Sequence, residues 1–188
     1  MKVREIVVTA LFAALICCLA LIPAIPLSFS TVPFTLQVMG VFITGAVLGR
    51  KLGTIATCVY VAIGAAGLLV FAGYKGGLGV LTGPTGGYIF GFIIATYIIG
   101  WSTDAFYLQL HKKRFKVIFL CLTMMIGVIA IYVLGGLQLM LVAKLTLKKA
   151  IFVGVIPFLP FDLCKAGLAA FLTVAVRERL SKANLLKN

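Results

Sequence analysis

Long apolar runs separated by short clusters of lysine and arginine leave this chain very few ways to fold. A helix that crosses a bilayer needs about 20 mainly apolar residues to traverse roughly 30 Å of hydrocarbon. Six stretches approach that requirement: residues 6–22, 36–49, 52–71, 84–103, 117–142 and 161–176. With 63% hydrophobic and 11% charged residues, a 20.1 kDa chain carries more apolar surface than one aqueous core can bury, because soluble domains average about half apolar and a quarter charged. Most of that surface must face lipid. The expected fold is a single all-α integral membrane domain, residues 1–188, with six transmembrane helices. A short re-entrant or interfacial helix is expected before the last span, where the apolar piece 150–158 follows Lys144, Lys148 and Lys149.

The net charge of +13 raises the question of nucleic acid, but the placement of the charges points to a membrane. Positive residues gather in cytoplasmic loops. With the N-terminus inside, twelve basic residues fall on the cytoplasmic side: Lys2, Arg4, Arg50, Lys51, four in the 112–116 loop, Arg177, Arg179, Lys182 and Lys187. Four (Lys75, Lys144, Lys148 and Lys149) fall outside. Both termini are therefore expected in the cytoplasm of a multi-pass protein in a bacterial cytoplasmic membrane. The first run extends to Ile25, and no lipobox precedes Cys17, so it is expected to be a retained span and not a cleaved leader. Five cysteines lie inside apolar runs at no metal-ligand spacing, and His111 sits alone in a basic loop. Neither a metal centre nor a nucleophile–base pair is expected, which argues against an enzyme.

Two features break the apolar pattern. Asp162 and Lys165 are charged, three residues apart on one helical face, and embedded in the last run. Each such charge costs about 2.5–3.5 kcal/mol at mid-bilayer on insertion scales. Asp162 near a helix start can serve as a cap with Lys165 as its counter-ion, or the pair can meet a ligand. The second feature is a run of eight glycines between 73 and 91, with Pro84-Thr85-Gly86-Gly87-Tyr88 opening the fourth span. It is too glycine-rich for a stable helix. Turns and close helix packing are one reading; a lid whose backbone N–H groups close over an external ligand is the other, and the favoured one. No GxxxxGK[ST] nucleotide loop occurs. Residues 27–35 form a polar, uncharged connection, and the small residues Ala10 and Ala14 make a smooth strip on the first helix.

Four segments together resemble a known family: residues 35–49, residues 70–74 (Val-Phe-Ala-Gly-Tyr), residues 83–88 (Gly-Pro-Thr-Gly-Gly-Tyr) and residues 157–165 (Pro-Phe-Leu-Pro-Phe-Asp-Leu-Cys-Lys). In this order they are similar to the BioY family, the biotin-capturing S components of energy-coupling factor (ECF) transporters. Where the family commonly has proline and glycine, this chain has Leu69 and Phe161. The resemblance implies a substrate subunit without ATPase activity that works with a transmembrane coupling subunit and two ATP-binding-cassette ATPases. It implies biotin as transported ligand and no cofactor.

The resemblance assigns biotin recognition to Asp162 and Lys165, and docking on the coupling subunit to Ala10 and Ala14. Biotin offers urea N–H donors, a C=O acceptor, an apolar ring and a carboxylate. Asp162 suits a urea N–H and Lys165 a carboxylate, but which polar group meets which end is open at this stage. Phe34, Phe71 and Tyr88 are candidates to hold the ring, with Gly73, Gly79 and Gln37 completing the expected ligand set. The alternative is a self-sufficient secondary carrier of a small organic acid, for which the chain has almost no ion-coupling residues.

Overall fold

The computed structural model describes residues 1–22, 25–27 and 30–182. Pro23, Ala24, Lys187 and part of the 27–35 connection lie outside them. The elements are α1 (Val3–Leu21), β1 (Ile25–Leu27), β2 (Ser30–Phe34), α2 (Gln37–Ala65), α3 (Leu78–Thr82), α4 (Gly86–Phe106), α5 (Lys113–Val142), α6 (Leu147–Gly154) and α7 (Leu159–Lys182), with a 3-10 turn at Tyr107–Gln109. Five helices among the described residues (α1, α2, α4, α5 and α7) are long and apolar enough to cross a membrane.

The second and third expected spans share α2. Gly49 breaks it, with φ 75° and ψ −174°, a left-handed conformation that glycine adopts without a Cβ penalty. The chain then folds back. The Gln37 amide donates a hydrogen bond to the Tyr60 hydroxyl, although 23 residues of straight helix would separate them by roughly 34 Å. A Cβ on Gly53 would stand 3.1 Å from the Thr44 carbonyl oxygen. Residues 37–48 and 50–65 are thus two antiparallel legs, turning where the sequence carries Arg50 and Lys51.

Helix α4 runs through the middle, between the two legs of α2 on one side and α5 on the other. Small residues allow the close approach: a Cβ on Gly45 would lie 2.9 Å from the Thr96 carbonyl, and one on Gly91 would lie 2.7 Å from the Ile131 Cα. Helix α1 packs on α2 through Thr9, Ala13, Ile16 and Ala20, a stripe at three- and four-residue spacing. Its other faces, carrying Val7, Leu11 and Leu21, are exposed, as lipid contact requires. Tyr60, Phe42, Ile99, Leu120, Met124 and Leu139 fill the core.

Three elements differ from the sequence expectation. The connection before α2 contains an antiparallel pair, with Ile25 opposite Phe34 and Leu27 opposite Ser30. Both strands are edges, so Pro26 and Pro33 cost no necessary ladder bond. The glycine-rich segment is not wholly irregular, since residues 78–82 make one helical turn, α3. The short helix before the last span begins earlier than expected, at Leu147, where the Thr146 hydroxyl caps the Lys149 N–H at 3.4 Å.

The end of the molecule that holds Gly49 has its own polar framework. Asp104 Oδ2 accepts the Arg50 backbone N–H at 2.8 Å, capping the second leg of α2. Arg177 donates to the Ala46 carbonyl at 2.7 Å, at the C-terminal end of the first leg. Both contacts complement helix dipoles. Arg177, expected as a loop charge, is therefore half-buried, with its guanidinium 4.5 Å from the centre of the Tyr107 ring.

Candidate functional site

At the opposite end the elements surround a cavity. Its walls come from β2 and the start of α2 (Val32, Pro33, Thr35, Gln37, Val38), the loop after α2 (Phe71, Ala72, Lys75), α3–α4 (Val80, Thr85, Tyr88, Ile89, Phe92), α5 (Ile131, Tyr132), Phe158, and α7 (Asp162, Lys165). The empty space, counted with its mouth open to solvent, is about 740 Å³. Most lining groups are apolar; Thr35, Gln37, Lys75, Thr85, Tyr88 and Tyr132 add polar groups around the wall, and α7 supplies the charged pair Asp162 and Lys165.

The α7 groups form one network. Pro160 lies in the first turn of α7, where a missing N–H costs nothing, and Asp162 and Lys165 follow on the inner face of the helix. Lys165 Nζ donates to Asp162 Oδ1 at 2.8 Å, with the two residues only 6% and 4% exposed. The Tyr132 hydroxyl donates to Asp162 Oδ2 at 2.7 Å. Lys165 Nζ also lies 4.0 Å from the centre of the Phe34 ring, in cation–π range. Phe161 packs edge-on against that same ring at 4.8 Å, so the departure at Phe161 supports the aromatic that covers the lysine. Both carboxylate oxygens and the ammonium have partners, which is what a buried ion pair requires.

The glycine-rich segment is fastened at three points. The Phe71 N–H donates to the Lys75 carbonyl at 2.9 Å and the Lys75 N–H to the Phe71 carbonyl at 3.3 Å. The Phe71 ring is 1% exposed and edge-on to Tyr60 at 5.6 Å. The Gln138 side chain on α5 donates to the carbonyls of Leu81 and Gly83, each at 2.7 Å. The Tyr88 hydroxyl donates to the Gly154 carbonyl at 2.9 Å, tying α4 to α6 while its ring faces the cavity.

Of the expected ligand set, Asp162, Lys165, Tyr88, Phe71 and Gln37 line the cavity, and Phe34 stands over Lys165. Gly73 and Gly79 do not line it. Both are exposed, Gly73 in the turn at φ 74° and Gly79 within α3, while their neighbours Ala72, Lys75 and Val80 face inward. Ala10 and Ala14 are exposed together on α1, far in sequence from the cavity residues and absent from its walls. Sequence reasoning missed Tyr132, Lys75, Thr85 and Gln138. A lone tyrosine and a lone glutamine in the fifth apolar run were the available signals.

The family model described as "BioY family" matches residues 1–182. The chain belongs to the BioY family. A biotin transporter BioY of Thermotoga maritima is 42% identical over 175 residues, 93% of this chain and 96% of the relative. One of Rhizobium etli is 38% identical over 94% of both chains. The crystal structure of an S-component for biotin from an ECF-type ABC transporter superposes with a TM-score of 0.85 at 29% identity, covering 94% of this chain and 92% of that one. The fold is thus that of a BioY S-component, and these BioY relatives are transporters, not enzymes.

Proposed function

We propose that this chain is the biotin-binding S component of an ECF-type importer in the bacterial cell membrane. The observation that carries the reading is the buried Tyr132–Asp162–Lys165 network at a mainly apolar cavity in a BioY fold. A carboxylate, a phenol and an ammonium in low dielectric can pair with the donors and acceptor of a cyclic urea. Aromatic walls at Phe71 and Tyr88 suit its fused ring. Counting the two legs of α2 separately gives six spans with both termini in the cytoplasm. The basic clusters at the Gly49 end support that orientation, with the cavity outside. The segment 72–88 is the lid, and α6 lies at the outer interface. The chain holds no nucleotide loop, so inward release depends on a transmembrane coupling subunit, which docks at Ala10 and Ala14, and on two ATP-binding-cassette ATPases.

The test is equilibrium binding of labelled biotin to the purified chain. Saturable binding is expected, with a loss of at least about tenfold in Asp162→Asn, because a hydrogen bond to a charged group contributes roughly 1.5–3 kcal/mol. No saturable binding by the wild type would end the reading. Uptake by the chain alone, in a host without coupling subunit or ATPases, would instead indicate a self-sufficient carrier.

A further inference from the structure

The cavity holds two lysines in unlike states. Lys165 is buried, paired to Asp162 and covered by Phe34, and Asp162 is also held by Tyr132. That trio is electrically neutral and internally satisfied. A ligand carboxylate placed on Lys165 would compete with Asp162 and set two anions side by side in a space with little water, where like charges repel most.

Lys75 lines the same cavity but is exposed, and among the described residues no hydrogen bond or ion pair engages its ammonium. Asp162, already matched, is the sole acidic residue in the lining. The backbone under Lys75 is fixed. It exchanges two hydrogen bonds with the buried Phe71 across a turn in which Gly73 and Tyr74 take φ values of 74° and 57°. The next residue, Gly76, is pressed against the Leu68 backbone so closely that no Cβ fits, and the Gly77 N–H reaches the Gly64 carbonyl at 2.7 Å. The cation therefore projects from an anchored hairpin, so that only its side chain, and not the backbone beneath it, has to be ordered when a ligand arrives.

We propose that Lys75 recognises the ligand's carboxylate and sets specificity for the acid over its neutral derivatives. The Tyr132–Asp162–Lys165 trio then reads the uncharged polar end. This rests on the biotin reading above, and it fixes the ligand's direction: urea inward at α7, carboxylate outward at the lid.

Biotin and biotinamide, which differ in that one charge, separate the two roles. Wild type is expected to bind biotin roughly tenfold more tightly than the amide, the scale of one charge-assisted hydrogen bond. Lys75→Gln should lose about that factor for biotin and keep its amide affinity within about twofold, which also reports that it is folded. Lys75→Arg should restore most of the preference, and Asp162→Asn should weaken both ligands alike. Equal losses for both ligands in Lys75→Gln, or no loss for either, would overturn the proposal. A wild-type chain that binds neither ligand refutes the biotin reading, and this inference with it.

Discussion

At the scale of single residues, the cavity is governed by the cost of burying charge. Lys165 and Asp162 are each under a tenth exposed and 2.8 Å apart. Removing one member strands the other, which typically costs about 3–5 kcal/mol, whereas removing both can be nearly neutral. Lys165→Met should therefore lower the melting temperature of the purified chain more than the double variant Asp162→Asn/Lys165→Met does. Additive losses would mean that the pair is not coupled. Tyr132→Phe tests the third member. It removes one bond to the carboxylate, so biotin affinity should fall severalfold, to about tenfold, while packing around the ring is kept. The ion pair was legible in the sequence because two charges in an apolar run are an anomaly that demands partners. Tyr132 was not legible, since a tyrosine in a lipid-length run carries no such anomaly and its partner lies 30 residues away. Gly73 and Gly79 were misplaced for a related reason. Glycine content shows that a segment turns, but not which side of the turn faces the ligand.

At the scale of elements, the break in α2 organises the end remote from the cavity. Gly49 occupies a left-handed φ, and a Cβ there would collide with the Asp104 carboxylate that caps the second leg. Gly49→Ala meets both the backbone penalty, roughly 1 kcal/mol or more, and the loss of the cap, about 1 kcal/mol. Asp104→Ala loses only the cap. Thermal unfolding should rank wild type above Asp104→Ala, and Asp104→Ala above Gly49→Ala; a Gly49→Ala chain as stable as wild type would show that the fold-back does not need this conformation. The order of the apolar runs was legible because hydropathy reports on bilayer length directly, but five long apolar helices carry them among the described residues, the second and third expected spans sharing α2. The turn at Arg50 and Lys51 was legible from charge. The hairpin before α2 was not, because residues 27–35 read only as a polar, uncharged connection; the two-stranded ribbon tolerates Pro26 and Pro33 since both its strands are edges. The inward turn of Arg177 was equally hidden, for its acceptors at Ala46 and Val47 lie 131 and 130 residues upstream.

At the scale of the whole molecule, the two ends divide the work. The cavity end carries Lys75, Lys144, Lys148 and Lys149 with Asp162 neutralised by Lys165, whereas Asp104 and Glu178 are both at the other end, engaged with Arg50 and Lys113. The mouth is thus a positive field that favours approach of an anionic ligand. Between the ends, α1 leaves Ala10 and Ala14 exposed beside Val7 and Leu11. Small side chains let a second helix approach closely, and a bulky one holds it off. Capture and delivery should therefore be separable. Ala10→Trp and Ala14→Trp lie away from every cavity residue, so labelled biotin should bind these variants with wild-type affinity. Co-expressed with the coupling subunit and both ATPases, however, each variant should co-purify less of the coupling subunit and lose most ATP-dependent uptake, and the pair should lose more than either alone. Unimpaired uptake and co-purification would move the docking face elsewhere on the bundle. Reduced binding would instead mean that α1 supports the cavity through the stripe it packs on α2.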